Sequence, residues 1–209
     1  MFAATGVVIV NDITGGAITH TGIAITTGLV VMAVVYSVGD VSGSHINPAV
    51  TVGFWLAGRF PGYRVIQYIV SQCLGAIAAS LLLAFLFSDL IALTVTLPAG
   101  SVMQSLVLEI VITFFLMFVI LSVSTGSMEK GIMAGSAIGA VIGLSVLWAG
   151  PITGASMNPA RSLAPALVSL DFTHLWIYIA GPLIGAAISV VAFRIVHKPL
   201  NTGREGKSF

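Results

Sequence analysis

Long apolar stretches separated by short polar or Gly/Pro breaks mark the whole chain. Thr21 to Val38, Arg64 to about Phe87, Val102 to Val123, Ile132 to Ala149 and Leu175 to Val196 each approach the roughly 20 residues that a helix needs to cross a bilayer. The breaks are Asp12 to Gly16, Gly58-Arg59-Phe60-Pro61-Gly62, the loop Asp89 to Ser101 with Pro98-Ala99-Gly100, the polar turn Thr125 to Gly131, and Asp171 to His174. The opening stretch, Met1 to Asn11, is apolar but about half a span long. Gly22 and Gly28, and Gly135, Gly139 and Gly143 at four-residue spacing, mark faces along which helices approach closely.

Two further segments are too short to span, and they carry the same pattern. Val41-Ser42-Gly43-Ser44-His45-Ile46-Asn47-Pro48-Ala49-Val50 is repeated as Ile152-Thr153-Gly154-Ala155-Ser156-Met157-Asn158-Pro159-Ala160-Arg161. Asn is a favoured N-cap and Pro a favoured first helical residue, so each copy predicts a helix start. No strong breaker follows until Gly58 or Ser169, which allows helices of about 15 Å, half a bilayer core. Two half-helices entering from opposite faces would meet at the midplane with their partially positive ends facing each other. Irregular backbone at that depth must line a cavity or pack in protein, and the pattern therefore predicts a pore.

Composition agrees with a membrane location. Of 209 residues 57% are hydrophobic and 7% charged, against roughly 25% charged in ordinary soluble domains. The net charge of +1 provides no basic field for nucleic acid. The single cysteine, Cys73, excludes an internal disulfide framework and reads as a packing residue. No cofactor is expected: His, Cys and carboxylates lack metal-ligand spacing, and neither a nucleophile–base pattern nor a phosphate loop appears, so an enzyme is not expected. Trp55, Trp148 and Trp176 fall near span ends, as in an aromatic belt.

The register shift that carries Asn47 onto Asn158 superposes the two boxes, and a shift one position shorter superposes Leu74-Gly75-Ala76 on Ile184-Gly185-Ala186. Three spans per half give the halves opposite orientations, an inverted repeat with its site at the pseudo-two-fold centre. The expected units are residues 1–101 and 102–197, each with one half-helix, and a polar cytoplasmic tail, 198–209. With both termini in the cytoplasm, Arg59, Arg64, Lys130, Arg194, Lys198, Arg204 and Lys207 obey the positive-inside rule, and the opposite loops hold no Lys or Arg. The eighth cation, Arg161, lies in an apolar segment at a cost of about 2.5–3.5 kcal/mol and should face a wet cavity.

The duplicated Asn-Pro-Ala box, the second followed by Arg161, resembles the aquaporin and aquaglyceroporin family of membrane channels over nearly the whole chain. The resemblance implies an all-α fold of six transmembrane helices plus two re-entrant half-helices. It implies that the first span starts upstream and carries a glutamate, so the sequence is expected to begin inside that helix. It further implies a homotetramer in the plasma or inner membrane whose partners are lipid, water and small neutral solutes. The pore residues carried over are Asn47, Pro48, Ala49, Asn158, Pro159 and Ala160, with the side-chain amides of Asn47 and Asn158 donating into the pore.

By the same resemblance Arg161 occupies the outer selectivity constriction, completed by Thr27, twenty residues before Asn47, with Val146 and Ala155. Strict water channels carry a bulky aromatic and a histidine where Thr27 and Val146 stand, so this filter is expected to be wider and less polar. Bacterial glycerol facilitators differ too, with two aromatics there and an aspartate where this chain has Ser162. The combination, with Gly154-Ala155-Ser156-Met157 and Tyr178-Ile179, most resembles the plant nodulin-like intrinsic proteins and their bacterial relatives. Those pass glycerol and undissociated boric, silicic or arsenous acid.

Glu109, in mid-span, is expected from the resemblance to brace a loop that carries an Asn-Pro-Ala box by accepting its backbone N–H groups; a proton relay is the alternative reading. His45 is expected to tie down the first box, and His20, His174 and His197 to lie at the interface. The function expected is a passive channel for small uncharged solutes and water that excludes ions and protons. A water-selective channel is its nearest alternative. An ion- or proton-coupled transporter would require paired intramembrane charges, and Glu109 and Arg161 alone stand in the spans; an adhesion or scaffold protein would need long exposed loops.

Overall fold

The computed structural model describes residues 1–125 and 132–197. Lys130, most of the expected turn at 125–131 and the expected tail at 198–209 lie outside the described residues. Within them are eight α-helices: α1 (Phe2–Ile13), α2 (Thr19–Ser42), α3 (Pro48–Leu56), α4 (Gly62–Phe87), α5 (Val102–Val123), α6 (Ala134–Thr153), α7 (Pro159–Ser169) and α8 (Leu175–Val196). Five of these, α2, α4, α5, α6 and α8, are long and apolar enough to cross a membrane, while α1 is a shorter apolar helix. The chain is an all-helical, multi-pass membrane protein, and α3 and α7 are the two half-helices.

Helix ends depart from expectation where a breaker is tolerated. The second span does not stop at Val38 but runs through Asp40 to Ser42, and the fifth does not stop at Ala149 but continues through Pro151 to Thr153. What ends each helix is a left-handed C-cap glycine, Gly43 (φ 72°) and Gly154 (φ 77°), a conformation that glycine adopts without a Cβ penalty. At the first turn the helix persists through Asp12 and Ile13, and the connection begins at Thr14. The loop from Asp89 to Ser101 is partly ordered as a 3₁₀ helix, Ser88–Thr94.

The repeat persists into the backbone. Ser44, Ile46, Ala155 and Met157 all have positive φ, between 42° and 54°. The shift that superposes the boxes carries Ser44 onto Ala155 and Ile46 onto Met157, just as it carries Gly43 onto Gly154. Such angles are costly for residues with a Cβ, most of all for a β-branched one such as Ile46. Here they turn each segment from a spanning helix into the start of a half-helix.

The helices pack most extensively as two pairs, α5 with α8 and α2 with α6. In the second pair, a Cβ added at Gly28 would lie 2.6 Å from the Gly139 carbonyl oxygen, and one at Gly139 would lie 2.7 Å from the Gly28 oxygen. These two glycines are equivalent under the same shift, so repeat-related backbones touch each other at the pseudo-two-fold axis. On the other pair, a Cβ added at Gly181 would lie 2.7 Å from Glu109 Cβ, and one at Gly185 would run into the Ile110 oxygen and lie 3.0 Å from the Phe114 nitrogen. Gly75, expected to match Gly185, has nothing within 4 Å of an added Cβ. Large apolar side chains such as Phe85, Ile66 and Ile195 are directed outward, as suits a bundle whose solvent is lipid.

Candidate functional site: a pore at the repeat centre

Each half-helix starts as the sequence predicts, with an extended Asn N-cap followed by Pro. Asn47 Oδ1 accepts from the Ala49 N–H at 2.9 Å, and Asn158 Oδ1 from the N–H groups of Ala160 (3.0 Å) and Arg161 (3.4 Å). The amide nitrogens cross between the boxes. Asn47 Nδ2 donates to the Met157 carbonyl at 2.7 Å, and Asn158 Nδ2 to the Ile46 carbonyl at 3.0 Å. Met157 and Ile46 each immediately precede the opposite asparagine, so the bonds form a reciprocal clasp. An amide has two N–H groups. One of each pair is therefore committed to the other box and one is left.

Pro48, Ala49, Pro159 and Ala160 are buried behind the asparagines, where their small, rigid side chains let the two half-helices meet. A cavity of about 1670 Å³ extends past the boxes toward both ends of the bundle. Its wall includes Asn47 and Asn158, and also Thr27, Val146, Ala155 and Arg161, the four residues expected at the outer constriction. The Arg161 guanidinium is held by Nη1 donating at 2.9 Å to the carbonyl of Thr94, the last residue of the 3₁₀ helix. The Thr27 hydroxyl donates back to the Ile23 carbonyl at 2.9 Å, which turns its hydrogen away and leaves an oxygen acceptor. Val146 and Ala155 add only methyl groups.

Behind this face lies the bracing. Glu109, with no exposed surface, accepts from the Thr153 hydroxyl (2.9 Å) and the Ser156 N–H (2.9 Å) on one oxygen and from the Met157 N–H (2.8 Å) on the other. The donors are Thr153 at the end of α6 and two N–H groups of the loop entering the second box. Ser162 is buried as well: its hydroxyl lies 2.6 Å from those of both Thr96 and Ser156. A residue singled out for its departure from the glycerol facilitators thus belongs to a hydroxyl chain in the wall.

His45 has its Nδ1 3.2 Å from the Thr51 hydroxyl in the first turn of α3, and its ring stacks on Phe54 at 4.7 Å with Phe60 and Tyr68 around it. These contacts join His45 to α3 and, through Tyr68, to α4. No group of three metal-ligating side chains occurs among the described residues. His174 and His197 cap the two ends of α8. His20 stands at the span end, as the second residue of α2, and also lines the cavity near Val146. Nothing in the linear pattern distinguishes it, because its position depends on how α2 meets α6.

Residues 1–193 match the family model for the major intrinsic proteins. The chain is 51% identical over 94% of its length to aquaporin NIP1-4 of Oryza sativa subsp. japonica, of which it covers 72%. It is 48% identical over 100% of its length to aquaporin NIP1-1 of Zea mays, of which it covers 76%. The fold is similar to the crystal structure of the aquaglyceroporin from Plasmodium falciparum, with a TM-score of 0.81, 23% identity, and 96% of this chain and 92% of that one covered.

Proposed function

The chain belongs to the major intrinsic protein family and is a membrane channel for small neutral solutes, and from that premise we propose that it passes glycerol-like polyols and undissociated metalloid hydroxides together with water. One observation carries the reading: Thr27, Val146 and Ala155, all small, share a cavity wall with Arg161. A hydroxyl-bearing solute at that level meets a fixed guanidinium donor, a threonine oxygen, and two apolar side chains that leave room for its carbon or metalloid centre. At the boxes it meets the free N–H of Asn47 and of Asn158. There it can accept hydrogen bonds, and the converging positive ends of α3 and α7 disfavour cations and interrupt a proton wire.

Arg161 belongs to the outer end of this path, so the ends of α2 and α4 holding Asp40 and Arg64 face the cytoplasm, together with the end of α8 that holds Arg194. Four subunits with separate pores form the assembly. Glu109 serves the wall, with its oxygens occupied by three donors from the loop that it supports.

The test narrows the filter. Val146→His and Thr27→Phe, singly and together, are introduced and osmotic water flux is compared with glycerol and boric acid uptake in reconstituted vesicles. The expected outcome is a fall in solute uptake of about tenfold or more, the scale of one lost or clashing filter contact, while water flux persists. Equal loss of water and solute, or no loss, contradicts this filter.

A further inference from the structure

Pro151 lies inside α6, four residues beyond Leu147. A helix carbonyl normally accepts from the N–H four residues on, and proline has none. The Leu147 oxygen is thereby deprived of its helical donor. His20, at the start of α2, stands in its place, with Nε2 3.0 Å from that oxygen. The ring fits because residue 150 is glycine: a Cβ there would lie 2.9 Å from His20 Cε1 and 3.6 Å from Val146 Cγ1. His20, the Leu147 carbonyl and Val146 therefore meet on one side of α6, and both His20 and Val146 border the cavity. A nitrogen facing a carbonyl must carry the proton, so Nε2–H is the donor.

On α2, His20 precedes Thr27 by seven residues, two turns along the same helix face. The two helices that bear Thr27 and Val146 are thus joined, next to the filter, by one hydrogen bond that exists only because α6 contains a proline. We infer that His20 is a positioning residue for the outer filter, donating Nε2–H to the Leu147 carbonyl and so fixing the distance between Thr27 and Val146 on which solute selection depends. The inference rests on the filter reading given above.

The experiment compares water and glycerol permeabilities of the full chain in vesicles for wild type, His20→Ala, His20→Gln, Pro151→Ala, and His20→Ala with Pro151→Ala. His20→Ala is expected to shift the glycerol-to-water ratio by about threefold or more, in keeping with the loss of one hydrogen bond. His20→Gln, whose amide can donate to the same oxygen, restores the wild-type ratio. The double variant keeps the shift, because the alanine N–H satisfies the Leu147 carbonyl within α6 and leaves α2 and α6 without their link. An unchanged ratio in His20→Ala, or a wild-type ratio in the double variant, overturns the inference. If His20→Ala fails to insert, Pro151→Ala and the double variant still decide: equal ratios that are both shifted from wild type support the role, and unequal or wild-type ratios overturn it. Failure of the filter reading looks different, since wild type would pass water and no glycerol. The same rescue pattern is then read in water permeability alone.

Discussion

Glu109 illustrates how little freedom a single side chain has in this wall. Three donors converge on its two oxygens with no exposed surface to relax into. Glu109→Gln replaces one acceptor by an NH₂ that must face another donor. It is expected to destabilise the fold by about 1–3 kcal/mol, the cost of a buried unsatisfied group, read as a lower unfolding temperature in detergent; an unchanged temperature would argue against the brace. Asn158 has the opposite sensitivity. Asn158→Asp keeps the cap oxygen but loses the donor to Ile46 and sets a negative charge between the two helix starts. Proton leak into dye-loaded vesicles should rise, with solute flux lowered, and a variant unchanged in both would refute the proposed barrier. The asparagine caps are legible from residue types alone. Their reciprocal bonds are not, because a contact between positions so far apart in the chain depends on how the half-helices meet.

At the scale of elements, the contact of α2 with α6 is set by absent side chains. Gly28→Ala or Gly139→Ala would drive a Cβ to within 2.7 Å of a backbone carbonyl, so each should cost about 1–3 kcal/mol as overpacking. Gly39→Ala, with nothing within 4 Å of its Cβ, is the matched control and should not lower the unfolding temperature. Equal effects at the three positions would mean that helix propensity, not close approach, governs this pair. The spans α5 and α8 have the ends their sequence predicts, because Ser101 and the break at Asp171 to His174 begin them cleanly. Those of α2 and α6 run past their predicted ends for one physical reason: Gly39-Asp40 and Gly150-Pro151 look like breakers, yet a helix supported by tertiary packing continues through them until a left-handed glycine ends it. The role of His20 is hidden from the sequence for a related reason, since its partner is a carbonyl exposed by a proline on another helix.

For the whole molecule, the inverted repeat connects topology to the pore. Arg59 donates to the Leu121 carbonyl at the end of α5, and Arg194 to the Leu56 carbonyl at the end of α3. Two of the cations that argue for orientation thus also satisfy helix C-termini, where positive charge is favourable. A reporter fused after Phe209 is expected to be active only in its cytoplasmic form, and an external signal would reverse the proposed orientation. The repeat is legible in the sequence as two matching boxes half a chain apart, and the fold extends it to positive-φ residues and to a glycine pair in contact. The most direct measurement is stopped-flow light scattering on vesicles holding the wild-type channel, following osmotic water flow, glycerol uptake and boric acid uptake side by side. Solute uptake well above that of empty vesicles, alongside water flow, is the predicted result; rapid water flow with solute uptake no faster than in empty vesicles would contradict the wide filter formed by Thr27, Val146, Ala155 and Arg161.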